Sequence, residues 1–270
     1  MQTALAKDRR ISILTYHSID DSGSVVSTSP STFKEQMRYL NEAAFRVMPV
    51  EDVVAYLTSN APLPERAVAI AFDDGYQSVF TEAYPVLKQY GFSATVFLIT
   101  NYCGRHNDWP GNLSTLDRRP LLSWPEIQEL RRNGIELGAH TRNHPDLTRL
   151  SRREIEEEIA HSKHEIEDRT GRSVATFAYP YGRHNSEVRD VVREHFEGAC
   201  SANLGRVSSD CDPFLLRRFD MYYLSQPVLF RKLQTTELGA YLQLRQALRS
   251  LRQFLPSPER RMIESTRQQQ

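Results

Sequence analysis

Along this chain, short apolar runs rich in β-branched residues alternate with stretches whose apolar residues recur every three or four positions. The first kind predicts strands over residues 11–17, 47–50, 68–72, 94–99, 135–139, 173–178 and 198–201, with a last apolar-to-charged transition over 214–219. The second kind predicts the helices between them. One opens at Ser31 or Thr32 as N-cap and carries Phe33, Met37 and Leu40 on one face. Others cover 51–57, 79–90 with Gly91 as its stop, 124–133 ended by Gly134, and 188–196. The longest starts at Ser151, has Glu154 in the capping-box position, and runs to Thr170 before Gly171. Strand and helix in this order argue for an α/β layer or a parallel barrel.

Four of these strands end on polar residues. They deliver His17, the Asp73-Asp74-Gly75 sequence, the His140/His144 pair, and Tyr179-Pro180-Tyr181-Gly182. An Asp-Asp-Gly sequence alone is also a common turn between a strand and a helix. On an extended chain, adjacent aspartates point to opposite sides, so one can bind a cation while the other takes a proton. His140 and His144 have the spacing that puts two rings on one face of a helix, but Gly138 and Pro145 favour a strand end and a tight loop, which also converges two rings on one ion. The Tyr-Pro-Tyr-Gly turn can face backbone N–H groups toward an oxyanion. In a parallel barrel, side chains at the carboxyl ends of the strands meet in one mouth. One carboxylate and two imidazoles there leave positions open for water and substrate, which suits a catalytic divalent ion.

Composition narrows this without redirecting it. The 270 residues are 40% apolar, enough for one α/β domain with a short appendage. Lys plus Arg balance Asp plus Glu at 34 each, so no global field draws the chain to nucleic acid or to an anionic bilayer. The first ten residues are polar and charged, and no segment is apolar for the ~18 residues of a membrane span, which predicts a cytoplasmic chain. Cys103, Cys200 and Cys211 have unrelated spacings and read as free thiols.

Three further features carry open readings. The loop over 101–121 holds His106, Asp108 and Trp109, and is either a substrate cover or a plain surface excursion. His161 and His164 lie three apart among many charges, which reads as a solvated helix face rather than a second metal site. From Pro227 onward Leu238, Tyr241, Leu242, Leu244, Leu248, Leu251 and Leu255 recur at helical spacing with Arg245, Arg249 and Arg252 between them. That amphipathic helix packs on the domain, makes a homodimer contact, or lies on a membrane surface; residues 256–270 read as a disordered tail.

Phe72-Asp73-Asp74-Gly75 together with His140-Thr141-Arg142-Asn143-His144 resembles the two leading motifs of the polysaccharide deacetylases, the NodB-homology or family 4 carbohydrate esterases. Leu122-Ser123-Trp124 and the run from Pro145 to Leu150 also look like the family, and the resemblance covers roughly residues 11–225. It implies a deformed parallel (β/α) barrel of about seven strands, with residues 1–226 as the deacetylase domain and 227–270 as a helical extension. It also implies metal-dependent deacetylation, with Asp74, His140 and His144 holding one divalent ion, usually zinc, with cobalt, nickel, iron or manganese as alternatives. Asp73 is then the general base, and the Tyr181 backbone N–H an oxyanion donor.

The chain departs from the common pattern in two places. Many relatives take their general acid from a Leu-x-His motif near the C-terminus, where this chain has Arg217 and Arg218. A branch resembling exopolysaccharide deacetylases instead has Tyr-His after its first strand and Tyr-Pro-Tyr-Gly as its third motif, as here, so His17 is the candidate acid. The arginine that orients the catalytic aspartate in many members is also displaced: Ala178 and Tyr179 stand there, leaving Arg217 or Arg218 for the task. Tyr179, Pro180, Trp109 and Arg218 are the expected substrate-facing residues.

The leading expectation is N-deacetylation of an acetylated amino sugar or glycan. O-acetyl esterase action and a catalytically silent sugar-binding relative are the alternatives, the latter disfavoured by the presence of every expected catalytic residue. A two-metal phosphoesterase fits least, because these ligands are too few for a second ion. A cytoplasmic chain would meet lipid-linked or soluble sugars, with the C-terminal helix as a route to the inner membrane face; a missing leader would change that expectation.

Overall fold

A computed structural model of the chain describes residues 9–112, 115–233, 235, 237–242 and 244–246. In chain order the strands are β1 (Ser12–Tyr16), β2 (Ser18–Ile19), β3 (Ser27–Thr28), β4 (Arg46–Met48), β5 (Ala67–Phe72), β6 (Thr95–Leu98), β7 (Glu136–Ala139), β8 (Thr176–Ala178), β9 (Gly198–Leu204) and β10 (Leu216–Asp220). The α-helices are α1 (Pro30–Glu42), α2 (Val50–Thr58), α3 (Tyr84–Tyr90), α4 (Trp124–Arg132), α5 (Arg152–Thr170), α6 (Ser186–His195) and α7 (Pro227–Phe230).

Neighbouring strands run parallel in the order β1, β10, β9, β8, β7, β6, β5, and β5 returns to β1 over Ser12↔Val68 to Tyr16↔Phe72, closing a seven-stranded barrel. β4 deforms it. It pairs with the first half of β5 (Ala67–Ala69), whereas β6 reaches only Ala71 and Phe72, so β4 wedges the wall open at one end. The Val50 N–H donates to Thr95 Oγ1 at 2.9 Å and ties that wedge to β6.

The period of two along each strand sorts side chains into two cores. Leu14, Tyr16, Val68, Ile70, Phe72, Val96, Leu98, Leu137 and Ala139 pack outward against the helices. Ile13, Ala69, Ala71, Phe97, Ala178, Cys200 and Leu216 fill the interior with mostly small side chains. Phe97 fits because residue 138 is glycine: a Cβ there would sit 2.3 Å from its ring. Continuing the inward phase brings His17 after Ile13, Asp73 after Ala71, His140 after Gly138 and Arg218 after Leu216 to one barrel end.

Local signals set the helix ends, with instructive departures. α1 begins earlier than expected, on Ser29, whose side chain accepts from the Thr32 N–H; Pro30 occupies the first turn, where its missing N–H is not needed. The 79–90 helix opens as a wide π turn over Val79–Ala83 and becomes α-helical only at Tyr84, because Pro85 cannot donate in the α-helical pattern. β2 and β3 pair in parallel across the polar stretch that begins at Asp20. Ser151 and Glu154 form the expected capping box, and Gly171 ends α5 in a left-handed conformation.

Phe230, Leu233, Leu238 and Leu242 are buried in the outer core, so the described part of 227–246 packs against the barrel. Leu244 is exposed, while Leu248, Leu251, Leu255, Arg249, Arg252 and the 256–270 tail lie outside the described residues. Among the described residues no helix is long and apolar enough to cross a membrane. The three cysteines are free.

Candidate active site

The ends of β1, β5, β7, β8 and β10 surround a cavity of ≈ 290 Å³ lined by His17, Asp73, Asp74, His140, His144, Tyr181 and Arg218, with Trp109 from the long loop. Asp73 keeps the inward phase of β5, and its N–H donates to the Tyr16 carbonyl at 2.9 Å. The expectation that Asp74 points away from it needs correction. Asp74 has φ 68°, a left-handed turn that folds its carboxylate back into the same cavity. Adjacent carboxylates therefore serve one site from different directions.

His140 continues β7 and its Nδ1 lies 2.7 Å from the Ala178 carbonyl. Nδ1 donates there, which leaves Nε2 as a lone-pair donor aimed into the cavity. His144 returns to the same point because Thr141 and His144 both take positive φ, at 67° and 57°, and the His144 N–H donates to Thr141 Oγ1 at 2.9 Å. The two Nε2 atoms are 3.2 Å apart, and Asp74 Oδ1 is 3.4 Å from one and 3.6 Å from the other. Ligand atoms on a tetrahedral ion with bonds of about 2.0–2.1 Å are separated by roughly 3.3 Å. The triad therefore fits a zinc-like ion, and it is one of two such groupings among the described residues. The other, Glu156, Glu194 and His195, lies on a partly exposed surface and is engaged in ion pairs, His195 with Glu156 and Glu194 with Arg152.

The electrostatics point the same way. Burial pushes the Asp74 carboxyl up, but His140, His144 and His17 more than offset it and hold it well below the usual carboxylate range. Burial and the neighbouring His140 push His144 down to about 3, keeping its imidazole neutral. Burial also pushes His140 down, yet Asp74 and Asp73 overcome this and hold it up. The cluster thus draws positive charge to the point where its three ligand atoms meet.

Asp73 has different company. Arg218 Nη1 donates to its Oδ1 at 2.7 Å, and Arg218 Nε donates to the Ser201 carbonyl at 2.9 Å. Burial raises the Asp73 carboxyl, but Arg218, His140 and His17 outweigh it, so Asp73 stays ionised. His17 Nε2 stands 3.9 Å from Asp73 Oδ2, with its side chain 23% exposed at the rim. Of the two arginines considered for this role, Arg218 is buried and Arg217 is exposed. Arg218 lines the cavity, and its guanidinium is bonded to both Asp73 and the Ser201 carbonyl.

Tyr179 is among the residues lining the cavity, yet its ring turns into the core. It is fully buried in the outer core, packed on Phe177, with its hydroxyl donating to the Phe214 carbonyl at 3.2 Å. Pro180 is buried beside it, so these two residues shape the turn rather than offer a polar surface. Tyr181 is 42% exposed, takes φ 57°, and lays its ring 4.5 Å from His144. From the long loop Trp109 reaches the cavity, its ring 5.0 Å from His144, whereas Asp108 pairs with Arg118 on the surface. Asn112 and Asp220 also line the cavity and carry no local sequence signal that marks them. His161 and His164 are exposed on α5 and belong to neither grouping.

With this geometry in view, a family model described as polysaccharide deacetylase matches residues 60–196, about half of the chain. The chain is 28% identical over 213 residues to the Bacillus subtilis protein YxkH, covering 78% of this chain and 71% of that one. It is also 28% identical over 177 residues to a Staphylococcus aureus poly-beta-1,6-N-acetyl-D-glucosamine N-deacetylase, covering 62% of this chain and 58% of that relative's length. Two solved structures share the fold. The Streptococcus pyogenes deacetylase PplD superposes with TM-score 0.69 at 24% identity, covering 78% of this chain and 92% of that one. IcaB from Ammonifex degensii gives TM-score 0.69 at 24% identity, covering 84% and 96%.

Proposed function

Because this chain belongs to the polysaccharide deacetylase family, we propose that it hydrolyses the N-acetyl group of an acetylated amino sugar within a glycan. The observation that carries the proposal is the convergence of Asp74, His140 and His144 on one point beside the separately held, ionised Asp73. Similarity to a poly-beta-1,6-N-acetyl-D-glucosamine N-deacetylase supports N-acetylglucosamine polymers as the substrate class.

Asp74 Oδ1, His140 Nε2 and His144 Nε2 are the proposed ligands of a single divalent ion, zinc by the character of the donor set. When bound, such an ion supplies Lewis acidity to the amide carbonyl and favours ionisation of the attacking water. Asp73, kept charged by Arg218, accepts the proton as water adds to the carbonyl carbon. The Tyr181 backbone N–H, on the left-handed turn at the cavity wall, stabilises the negative oxygen of the tetrahedral species. His17, at the rim and near Asp73, gives a proton to the departing nitrogen as the C–N bond breaks, leaving acetate and the amine. An amide needs that proton more than an ester does, which is why a rim imidazole favours N-deacetylation. Trp109 offers an apolar face beside His144 for the acetyl group or the sugar ring.

The test is acetate release from N-acetylglucosamine oligomers by metal-stripped protein, with zinc, cobalt or nickel added back, beside Asp73→Asn and His17→Ala. Release that a metal restores and both substitutions abolish supports the reading. Metal uptake without release from any N-acetylated glycan overturns it.

A further inference from the structure

The loop between the two histidine ligands is held in place by a carboxylate from another element. Thr141 and His144 both occupy the left-handed region, which side chains other than glycine rarely adopt and which persists only where surrounding structure imposes it. The hold comes from the middle of α5. Glu158 Oε2 accepts from the Arg142 N–H at 3.0 Å and the Asn143 N–H at 2.9 Å, and its Oε1 accepts from Asn143 Nδ2 at 2.6 Å. Asn143 Oδ1 in turn accepts from Asn101 Nδ2 at 2.7 Å. Thr100 and Asn101 donate their N–H groups to the Thr141 and Arg142 carbonyls at 3.2 and 3.0 Å.

Glu158 is well placed for this. Ile155 and Ile159, flanking it on the 19-residue α5, are buried in the outer core, so its position is fixed by a rigid element. All three of its bonds fall on the two residues Arg142 and Asn143, between the ligands at 140 and 144. A shift of the loop would carry the His144 ring away from His140 and Asp74, whose ligand atoms are now within 3.6 Å of its Nε2.

The geometry points to Glu158 as a positioning residue: by gripping the 142–143 backbone from α5, it pre-forms the spacing at which His140 and His144 take a metal ion. This rests on the reading of Asp74, His140 and His144 as the metal site. Glu158 touches neither imidazole and acts only through the loop.

The experiment compares full-length wild type, Glu158→Gln and Glu158→Ala by three measurements. These are zinc affinity in competition with a chromogenic chelator, the visible spectrum of the cobalt-loaded protein, and amide hydrogen exchange at Arg142 and Asn143, with Ile70 of β5 as reference. Alanine removes all three bonds, whereas glutamine keeps one acceptor oxygen and places a donor opposite Asn143 Nδ2. Alanine should raise the zinc dissociation constant roughly 10–100-fold and glutamine by less. Exchange should quicken at Arg142 and Asn143 but not at Ile70, and the cobalt bands should change.

Unchanged zinc affinity and cobalt spectrum in both variants overturn the proposal even if melting temperature falls, because a merely structural glutamate would move melting alone. If the alanine variant does not fold, the glutamine variant decides by the same measurements. Wild-type protein that binds neither zinc nor cobalt overturns the metal-site reading instead. The exchange rates then judge the hold separately, and unchanged rates at Arg142 and Asn143 overturn it.

Discussion

The guanidinium of Arg218 meets the carboxylate of Asp73 at 2.7 Å, both nearly excluded from solvent, across 145 residues of chain. An isolated carboxylate at such depth would take up a proton to escape its desolvation penalty. Arg218 removes that need, and its second bond, to the Ser201 carbonyl, fixes the direction from which it does so. The charged state of the proposed base thus leans most on the last barrel strand, with His140 and His17 adding to it.

Removing one partner of a buried ion pair strands the other, which costs roughly 3–5 kcal/mol. Arg218→Met should therefore lower stability by that order in urea unfolding and lower kcat in acetate release, while Arg218→Lys, which keeps charge but not the Nε bond, should fall between. Wild-type stability in Arg218→Met would mean that the pair is not the anchor described.

Gly182 follows Tyr181 in the turn at the cavity wall. Its φ is +67°, and a Cβ there would lie 2.2 Å from the Ala202 Cβ and 2.7 Å from the Ala202 N. Backbone cannot yield cheaply, so Gly182→Ala should push the turn and the Tyr181 N–H away from the site. A displacement of about 1 Å in a catalytic group costs up to about 100-fold in rate. The expected result is a folded protein with intact zinc binding and a large loss of kcat; unchanged kcat would remove the Tyr181 N–H from the reaction.

Much of this arrangement was legible in the residues because strands announce themselves by buried runs, and a buried run that stops on Asp-Asp or His has delivered that group to a strand end. Arg218 was not separable from Arg217. The run Leu215-Leu216-Arg217-Arg218-Phe219 shows no polar alternation, and only the pairing of β10 with β9 and β1 reveals which arginine is inward. Tyr179 is ambiguous in the sequence for a related reason: the residue lines the cavity while its ring continues the outward phase of β8 into the core. The left-handed fold of Asp74 runs on into Gly75, where a Cβ would sit 3.0 Å from Leu98, a neighbour distant in sequence. Asn112 and Glu158 act through contacts that no local pattern encodes.

A buried polar relay supports the strand that carries His17. Tyr16 donates its hydroxyl to Gln36 Oε1 at 2.8 Å, and Gln36 Nε2 donates to the Leu224 carbonyl at 3.2 Å. Gln36→Leu would leave both groups unsatisfied, at about 1–3 kcal/mol each. The double variant Tyr16→Phe/Gln36→Leu should recover part of the loss, since it removes the stranded hydroxyl. Thermal and urea unfolding of the two variants check this, and equal stability of single and double variants would deny the coupling.

The long loop that carries Trp109 over the site is moored by Arg119, whose Nε lies 3.3 Å from Asp20 Oδ2. Inside the loop, Asn107 Oδ1 accepts from the Arg119 N–H at 2.6 Å, and the Gln77 N–H donates to the Pro120 carbonyl at 3.0 Å. Burial pushes the Asp20 carboxyl up, but hydrogen bonds from Ser18 and Ser22 and the charge of Arg119 more than offset it, so its folded value lies below the ordinary one. The sign follows: a depressed carboxylate contributes stability that is fully present above its unfolded pKa of about 3.9 and is lost as pH falls through the lower folded value. Asp20→Asn should therefore be less stable than wild type at neutral pH, and the gap should close only as pH falls below about 4. With the mooring weakened, Trp109 should seat less firmly, raising KM for N-acetylglucosamine oligomers more than it lowers kcat. A stability gap that persists unchanged into strong acid would show that the Asp20 charge is not what holds the loop.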